Sequence, residues 1–468
     1  MAKEKSAAEK LAEKLCYEPE HISKASDESE IEKADKFCEG YIDFLNTAKT
    51  EREVSALIKE EAIKRGYTEF DKTKVYKPGD RVYRVNREKA IILCVFGKKD
   101  IREGIKLAIA HIDSPRLDLK PNPLYESDDM ALFKTHYYGG IKKYQWTAIP
   151  LSLHGVIVKA NGEKVTVNIG EDEGDPKFVI TDLLPHLGAE QGKRPLSNGI
   201  KGEELNIVVG SRPFKDDKAS NLVKLNILKL LNEKYGIVEK DFLSAELEIV
   251  PAFKACDIGL DRSMIGAYGH DDRVCAYPAA QANFSLEKPE FTSVSVLTDK
   301  EEIGSVGNTG LDSAYVPNFI HDISEVFGAN GRDVMSKSEC LSADVNAAFD
   351  PTFPEVMEKR NASYLNKGVV ITKYTGARGK SGSSDASAEF MGKVRGFLEK
   401  NKVIWQIGEL GAVDAGGGGT VALYVAGLDI DVVDVGVPVL SMHSPFEVVA
   451  KSDVYMAYRA FYEFFSLK

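Results

Sequence analysis

The pattern of apolar residues changes twice along this 468-residue chain, near positions 118 and 251. Outside that interval, the runs 89–97 and 105–110 are almost continuously apolar. Such runs are typical of strands that are covered on both faces, as in the parallel sheet of an α/β domain. Inside the interval, short stretches alternate apolar with polar residues, which is typical of an antiparallel sheet with one solvated face. The chain is therefore expected to combine two kinds of sheet.

The alternating region contains three clear strand patterns and one helix pattern. We expect strands at 155–159, 164–168 and 205–209, because turns rich in Pro, Gly and Asp separate these runs. Residues 220–233 repeat leucine at helical spacing along one stripe, which predicts a helix. The region therefore predicts a mostly antiparallel module with a single clear helix.

The two flanking regions predict one α/β domain that is divided in the sequence. A chain of 468 residues exceeds what one hydrophobic core usually supports, so two domains are expected. The first 70 residues mix charged and apolar residues at helical spacing. Further elements are expected as strands at 293–298, 369–372, 403–407 and 432–437 and as a helix at 448–465. We predict a parallel-type α/β domain formed by 1–117 and 252–468, interrupted by an inserted β-rich domain at 118–251.

Charge and hydropathy exclude several classes of partner. The net charge of −11 and the pI near 5.5 argue against nucleic acid as a partner, because phosphate binding requires a basic surface. No apolar run approaches the length of a membrane-spanning helix, so no membrane partner is expected. The charged N-terminal segment lacks the apolar core of a signal peptide. We therefore expect a cytoplasmic protein.

The six cysteines offer neither a disulfide framework nor a zinc-thiolate cluster. They form no C-x-x-C pair, and Cys94 lies within an apolar run, where a buried structural thiol is expected. If the protein binds a metal, its ligands must therefore be imidazole and carboxylate groups.

Histidine and acidic residues lie at the predicted carboxyl ends of strands or in the adjacent loops. In α/β sheets functional groups gather at these ends. Two imidazoles together with several carboxylates suit zinc, manganese or cobalt. The candidate positions are His111, the pair Asp271 and Asp272, the pair Glu301 and Glu302, Asp344, and His443.

Each candidate has an ordinary structural explanation when taken alone. A single histidine after a strand is more often a hydrogen-bonded structural residue, an aspartate before a helix is by default an N-cap, and adjacent glutamates are common on solvated surfaces. Taken together, the candidates favour a common site, because all of them lie outside the β-rich interval. Glu301 and Glu302 follow one strand directly, so the two carboxylates can serve different roles in one cavity.

The order of these motifs resembles the aspartyl aminopeptidases, a branch of the dinuclear zinc exopeptidases. The motifs are His-x-Asp-Ser-Pro at 111–115, Asp-Asp-Arg at 271–273, Glu-Glu at 301–302, Ser-Ala-Asp at 342–344 and Met-His-Ser at 442–444. The resemblance covers nearly the whole chain. It implies a zinc-exopeptidase-like, three-layer catalytic domain with a mixed, largely parallel sheet, interrupted by a β-rich dimerisation domain.

The resemblance also implies a role for each motif. Asp271 would bridge two divalent ions, most simply zinc, with cobalt or manganese as alternatives. One ion would be held by His111 and Asp344, and the other by Glu302 and His443. Glu301 would act as general base on a metal-activated water, and Asp113 would accept the second N–H of His111. The implied reaction is the release of N-terminal residues, acidic ones above all, from peptides.

Recognition of an acidic substrate side chain requires a cation. Arg378 and Lys380 lie in the segment where family members place substrate-contacting residues, and a solvated basic loop is an equally good explanation of that segment. His186, in Pro-His-Leu, matches a stretch that reaches a neighbouring subunit's active site in some relatives. The additional histidine found four residues later in those relatives is Glu190 here.

An inserted module without predicted ligands suggests subunit pairing, so we expect a homo-oligomer. The resemblance implies dimers assembled into a tetrahedral dodecamer. Two alternatives remain open at this level: a dinuclear enzyme of neutral specificity or a deacylase, and a non-catalytic scaffold or cargo-binding assembly.

Overall fold

The computed structural model describes residues 5–216 and 218–468. Within these residues the strands are, in chain order, β1 (Thr68–Glu69), β2 (Arg81–Asn86), β3 (Ala90–Val95), β4 (Lys106–His111), β5 (Arg116–Ser127), β6 (Met130–Tyr138), β7 (Leu151–Val158), β8 (Lys164–Ile169), β9 (Val179–Ile180), β10 (Asn206–Gly210), β11 (Ala245–Pro251), β12 (Cys256–Ile258), β13 (Met264–Ala267), β14 (Ser293–Thr298), β15 (Glu339–Ser342), β16 (Asn346–Ala347), β17 (Val369–Thr372), β18 (Trp405–Ile407), β19 (Asp431–Gly436), β20 (Pro438–Val439) and β21 (Glu447–Ala450).

The α-helices of the same residues are α1 (Ala7–Leu15), α2 (Ile22–Ala25), α3 (Glu28–Thr47), α4 (Glu51–Lys64), α5 (Leu222–Tyr235), α6 (His270–Phe284), α7 (Tyr315–Val326), α8 (Gly331–Met335), α9 (Ala388–Lys400), α10 (Ala422–Ala426) and α11 (Lys451–Phe465). Four of them lie within the first 70 residues, as the helical spacing there predicts.

Nine strands form a mixed sheet in the order β1-β2-β3-β14-β4-β15-β19-β17-β18. Its central strands β14, β4, β15 and β19 are parallel to one another. Their side chains are buried on both faces, because helices cover the sheet on each side. One face packs against residues of α3, α4, α6, α9 and α11, and the other against residues of α7, α8 and α10. This is the three-layer α/β architecture that the sequence predicts.

Seven strands form a separate antiparallel sheet in the order β8-β7-β11-β5-β6-β10-β9. All of them come from the interval between β4 and β12 in the chain, and α5 covers one face through Val223, Leu228 and Leu231. The predicted antiparallel module is thus present as a sheet of its own. The boundaries proposed at 118 and 251 remain a prediction.

Several predicted element boundaries are shifted in the structure. The C-terminal helix begins at Lys451 and not at 448, because residues 447–450 pair with β13 as strand β21. Helix α5 begins two residues later than predicted and ends where Gly236 adopts a left-handed conformation, which glycine tolerates best. His111 is the last residue of β4, whereas the sequence pattern places it just after the strand.

In the part of the chain that the structure describes, no helix is both long and apolar enough to cross a membrane. The cytoplasmic location stays a prediction.

Candidate metal centre

Three adjacent strands bring four of the candidate residues to one edge of the nine-stranded sheet. His111 ends β4 and lies opposite Thr298, the last residue of β14. Glu301 and Glu302 follow β14 after a short turn. Asp344 follows β15, which pairs with the other side of β4. Parallel strands end at the same edge of a sheet, so these side chains meet because of the strand register.

The small sheet of β12, β13 and β21 brings two further candidates, Asp271 and His443, to the same place. Asp271 lies at the start of α6, four residues after β13 ends. His443 lies four residues before β21, and β21 pairs with β13 so that Ala267 is opposite Glu447. This pairing places Asp271 and His443 close together although they are far apart in the sequence.

Asp271 lies between the two imidazoles. Its Oδ1 is 3.1 Å from Nε2 of His111, and its Oδ2 is 3.1 Å from Nε2 of His443. Nε2 of His443 also lies 3.5 Å from Oε2 of Glu302. The second nitrogen of each ring faces a main-chain carbonyl: Nδ1 of His111 lies 3.0 Å from the carbonyl oxygen of Asp113, and Nδ1 of His443 lies 2.8 Å from that of Gly140. Both rings can therefore present Nε2 to a metal.

The potential ligand atoms fall into overlapping groups. His111, Asp271 and Asp344 offer three atoms that lie within 4.8 Å of one another, and so do Asp271, Glu302 and His443. Asp271 belongs to both groups. His111, Glu301 and Glu302 form a third group of the same size. The predicted ligand residues are thus brought together, and the shared aspartate has one oxygen facing each histidine.

Two acceptor atoms of the ligand residues lack hydrogen-bond donors. Oδ2 of Asp344 and Oε1 of Glu302 are buried and have no hydrogen-bond partner. A buried charged acceptor is costly unless a cation or donor compensates it. Imidazole nitrogens and carboxylate oxygens are also the ligands that zinc prefers when thiolates are absent. The cluster therefore fits one or more divalent cations.

Burial and mutual repulsion perturb the acids of this cluster. Burial together with the charge of Asp271 raises the pKa of Glu302 well above its usual value, and burial with Asp272 and Glu301 does the same for Asp344. Burial raises the pKa of Glu301 to about 7. Although burial opposes its charged form, the contacts with Asp271 and Glu302 raise the pKa of His443 to about 10.

Asp113 contacts His111 mainly through its main chain. The resemblance implies that Asp113 accepts the second N–H of His111, and in the structure its carbonyl oxygen lies 3.0 Å from Nδ1 of His111, whereas Oδ1 of its carboxylate lies 3.4 Å away. The carboxylate instead accepts the main-chain N–H groups of Glu301 and Glu302, at 3.1 and 3.2 Å. Asp113 therefore holds the backbone of the Glu-Glu pair as well as the histidine.

The sequence reasoning missed Glu447, which is buried beside the same cluster. Its carboxylate accepts the main-chain N–H of His443 at 2.7 Å and that of Asp271 at 3.1 Å. Burial, with the charge of Asp271, raises its pKa to about 8. The signal in the sequence is an acid that interrupts an apolar run directly after the Met-His-Ser motif.

The predicted substrate-binding residues lie outside the ligand cluster. The cluster opens into a cavity of about 280 Å³. Arg378 and Lys380 line a neighbouring cavity of about 260 Å³, and the two cavities share Thr375, Leu410 and Gly417. Lys380 pairs with Asp385 at 3.2 Å and covers the ring of Tyr374. His186 is exposed on a loop of the antiparallel sheet and does not line the ligand cavity of its own chain.

Several known proteins are similar to this chain in sequence and in fold. A family model described as "Aminopeptidase I zinc metalloprotease (M18)" matches residues 44–465. A probable M18 family aminopeptidase 1 from Clostridium acetobutylicum is 49% identical over 438 residues, 92% of this chain and 94% of the relative. The crystal structure of an M18 family aminopeptidase from Thermotoga maritima is 43% identical, with a TM-score of 0.92 over 96% of this chain and all of the other.

A more distant structure shares the fold alone. The mApe1 dodecamer of S. cerevisiae is 21% identical, with a TM-score of 0.74 over 93% of this chain and 96% of that chain. The fold, the cluster and the closer relatives together define a zinc metalloaminopeptidase. The chain belongs to the M18 family.

Proposed function

We propose that the protein is a two-metal aminopeptidase in which Asp271 bridges the ions. The observation that carries this proposal is the position of Asp271, whose two oxygens each lie 3.1 Å from a different imidazole. His111 and Asp344 would hold one ion together with Asp271, and Glu302 and His443 would hold the other. Zinc is the metal that the family's description favours. Two such ions, when bound, supply Lewis-acid activation of water and of the scissile carbonyl.

Glu301 is proposed as the general base. Its Oε2 lies 3.8 Å from Nε2 of His111, so the carboxylate borders the ligand cluster. Glu301 belongs to the group formed with His111 and Glu302, and to neither of the two groups that contain Asp271. The carboxylate would take a proton from the attacking water and then deliver it to the leaving amine. Glu302, by contrast, is needed as a ligand. The adjacent glutamates thus have separate roles.

We further propose that acidic N-terminal residues are preferred. Arg378 and Lys380 support this preference, because both line the cavity that adjoins the ligand cavity. Lys380 is already paired with Asp385, so Arg378 is the more available cation. One observation favours a second specificity, for neutral residues: neither Lys nor Arg is among the residues lining the ligand cavity itself, whereas Leu410 and Met442 are.

Hydrolysis of aminoacyl anilides tests both specificities and the reaction class. Aspartyl-, glutamyl- and leucyl-anilides would be assayed with stripped protein to which zinc, cobalt or manganese is restored. Faster turnover of the two acidic substrates, abolished by Arg378→Ala, is expected. A preference for leucyl-anilide would favour the neutral specificity. Undiminished hydrolysis of substrates with a blocked amine would identify a deacylase and contradict an aminopeptidase.

We also propose a homo-oligomer of dimers arranged as a tetrahedral dodecamer. The S. cerevisiae neighbour is a dodecamer, and this chain exposes an apolar surface on the loop that carries His186. Leu183, Leu184, Leu187 and Leu196 are 50–69% exposed in the single chain, and a cluster of exposed apolar residues marks an interaction surface. In the assembly His186 would reach the active site of a partner. Light scattering that finds a monomer would contradict this proposal.

A further inference from the structure

The antiparallel sheet contacts the candidate metal centre at the segment Tyr138–Gly140, where β6 ends. The hydroxyl of Tyr138 donates a hydrogen bond to Oδ2 of Asp113 at 2.8 Å. A Cβ atom on Gly139 would lie 3.2 Å from Oε2 of Glu302, so glycine allows close packing there. The carbonyl oxygen of Gly140 lies 2.8 Å from Nδ1 of His443. Three consecutive residues of the segment thus contact three different residues of the centre.

Asp113, which accepts the hydrogen bond from the Tyr138 hydroxyl, links several residues of the candidate metal centre. The Asp113 side chain is fully buried and accepts the main-chain N–H groups of both Glu301 and Glu302. Its main-chain carbonyl accepts from His111, so this residue fixes a ligand of one ion, a ligand of the other and the general base. Its Oδ2 also accepts the hydrogen bond from the hydroxyl of Tyr138. Of these partners, Tyr138 is the one supplied by the antiparallel sheet.

The ring of Tyr138 is itself held in place. The guanidinium of Arg116 lies 3.9 Å from the centre of the ring. Arg116 is buried and forms ion pairs with Glu248 at 3.3 Å and with Glu51 at 3.4 Å. Glu248 belongs to the antiparallel sheet and Glu51 to helix α4, which packs on the nine-stranded sheet. Tyr138 therefore has a fixed position relative to both sheets.

We propose that Tyr138 is a positioning residue of the aminopeptidase reaction, which acts through Asp113 to fix His111 and the Glu301–Glu302 backbone. The inserted sheet then contributes to catalysis within its own subunit, in addition to any role in assembly. This inference rests on the proposed two-metal centre. Residues that orient metal ligands typically change metal affinity or activity by about 10- to 100-fold when they are replaced.

The test uses Tyr138→Phe, which removes the hydroxyl and keeps the ring. Zinc affinity would be measured by competition with a chelator, and kcat and KM with the best aminoacyl anilide. We expect zinc affinity and kcat each to fall by about tenfold, with KM little changed, because positioning is lost and substrate contacts are not. The matched control is Tyr137→Phe, one residue earlier on the same strand, where the side chain is 42% exposed. It should retain wild-type values.

A double-mutant cycle with Asp113→Asn separates positioning from a general structural role. If Tyr138 acts through Asp113, the double variant should lose less than the product of the two single losses. Fully multiplicative losses, or a Tyr138→Phe variant within twofold of wild type in zinc affinity and kcat, would overturn the inference. Loss of thermal stability alone, without a change in kcat, would also overturn it.

His111→Ala distinguishes failure of this inference from failure of the proposed centre. If His111→Ala lowers zinc affinity and Tyr138→Phe does not, the centre stands and only the positioning role of Tyr138 is wrong. If His111→Ala leaves zinc affinity unchanged, the proposed ligand set is wrong, and the inference fails with it.

Discussion

Nε2 of His443 lies 3.1 Å from Oδ2 of Asp271, although 172 positions separate the two residues in the chain. The contact depends on β21 pairing with β13, which brings the loop before β21 against the start of α6. Glu447 reinforces it by accepting the main-chain N–H groups of both residues. The small three-stranded sheet therefore places Asp271 and His443 in the cluster. The ends of β4, β14 and β15 place His111, Glu301, Glu302 and Asp344 there.

Asp271→Asn should release both metal ions, because the replaced carboxylate is shared by both ligand groups. Asp344→Asn and Glu302→Gln should each release one ion, since each of these residues serves one proposed ion. Zinc content per chain would be measured by mass spectrometry after dialysis. Asp261→Asn, on an exposed loop, is the control and should keep the wild-type content. Equal zinc content in the Asp271 and Asp344 variants would argue against a bridging aspartate.

Glu301→Gln should lose turnover and keep metal. Removing a general base typically lowers kcat by about 10²- to 10⁴-fold, and the amide of glutamine cannot take up the proton. Glu302→Gln, at the next position, should also be inactive, with a lower zinc content as the cause. Each variant therefore serves as the control for the other. Measuring both kcat and zinc content separates loss of the base from loss of a ligand. A Glu301→Gln enzyme with undiminished kcat would remove Glu301 from the mechanism.

The sequence indicated which side chains meet at the edge of the nine-stranded sheet, because strand ends are visible as the ends of apolar runs. His111, Glu301 and Asp344 all follow this rule, and parallel strands necessarily bring their ends to one edge. The sequence also predicts the fold class, because the change from continuous to alternating apolar patterns separates the nine-stranded sheet from the seven-stranded sheet. Residues 448–450, which the sequence predicts as the start of a helix, belong to strand β21, because so few residues carry too little periodicity to distinguish strand from helix.

The supporting contacts could not be predicted in the same way. Tyr138 and Glu447 act on residues 25 and 176 positions away, through hydrogen bonds that only the packing of separate sheets creates. Asp113 shows the same limit at short range. Its carbonyl oxygen is the nearer acceptor for Nδ1 of His111, and its carboxylate accepts the main-chain N–H groups of Glu301 and Glu302, a contact that the motif does not reveal.

Phe319→Ala should destabilise the layer of helices that covers one face of the nine-stranded sheet. Phe319 in α7 is fully buried and meets the edge of Phe70 with ring centres 5.6 Å apart. Truncating a buried phenylalanine costs about 3–5 kcal/mol, since apolar contacts are lost and a cavity remains. Phe353→Ala is the control, because that side chain is 56% exposed. Urea unfolding measures both, and a cost below about 1 kcal/mol for Phe319→Ala would contradict the three-layer packing.

His154→Gln should lower stability more in mild acid than in alkali. His154, in β7, is buried with Nδ1 2.7 Å from Oε1 of Glu53 in α4 and Nε2 3.1 Å from Oε1 of Glu171. Burial opposes its charged form, but these two carboxylates prevail and raise the pKa of His154. A folded-state pKa above the unfolded value near 6.5 means that the ion pairs stabilise fully below pH 6.5. That contribution is lost as the pH rises through the folded-state pKa.

The difference in unfolding free energy between wild type and His154→Gln should therefore be largest near pH 6 and shrink towards pH 9. Breaking a buried ion pair costs about 3 kcal/mol, which sets the expected difference at the acidic end. Urea unfolding of both proteins across this range measures it. His136→Gln is the control, because that histidine is exposed, and its effect on the unfolding free energy should be small. A His154→Gln cost that is equal at pH 6 and pH 9 would show that the imidazole is neutral in the folded protein.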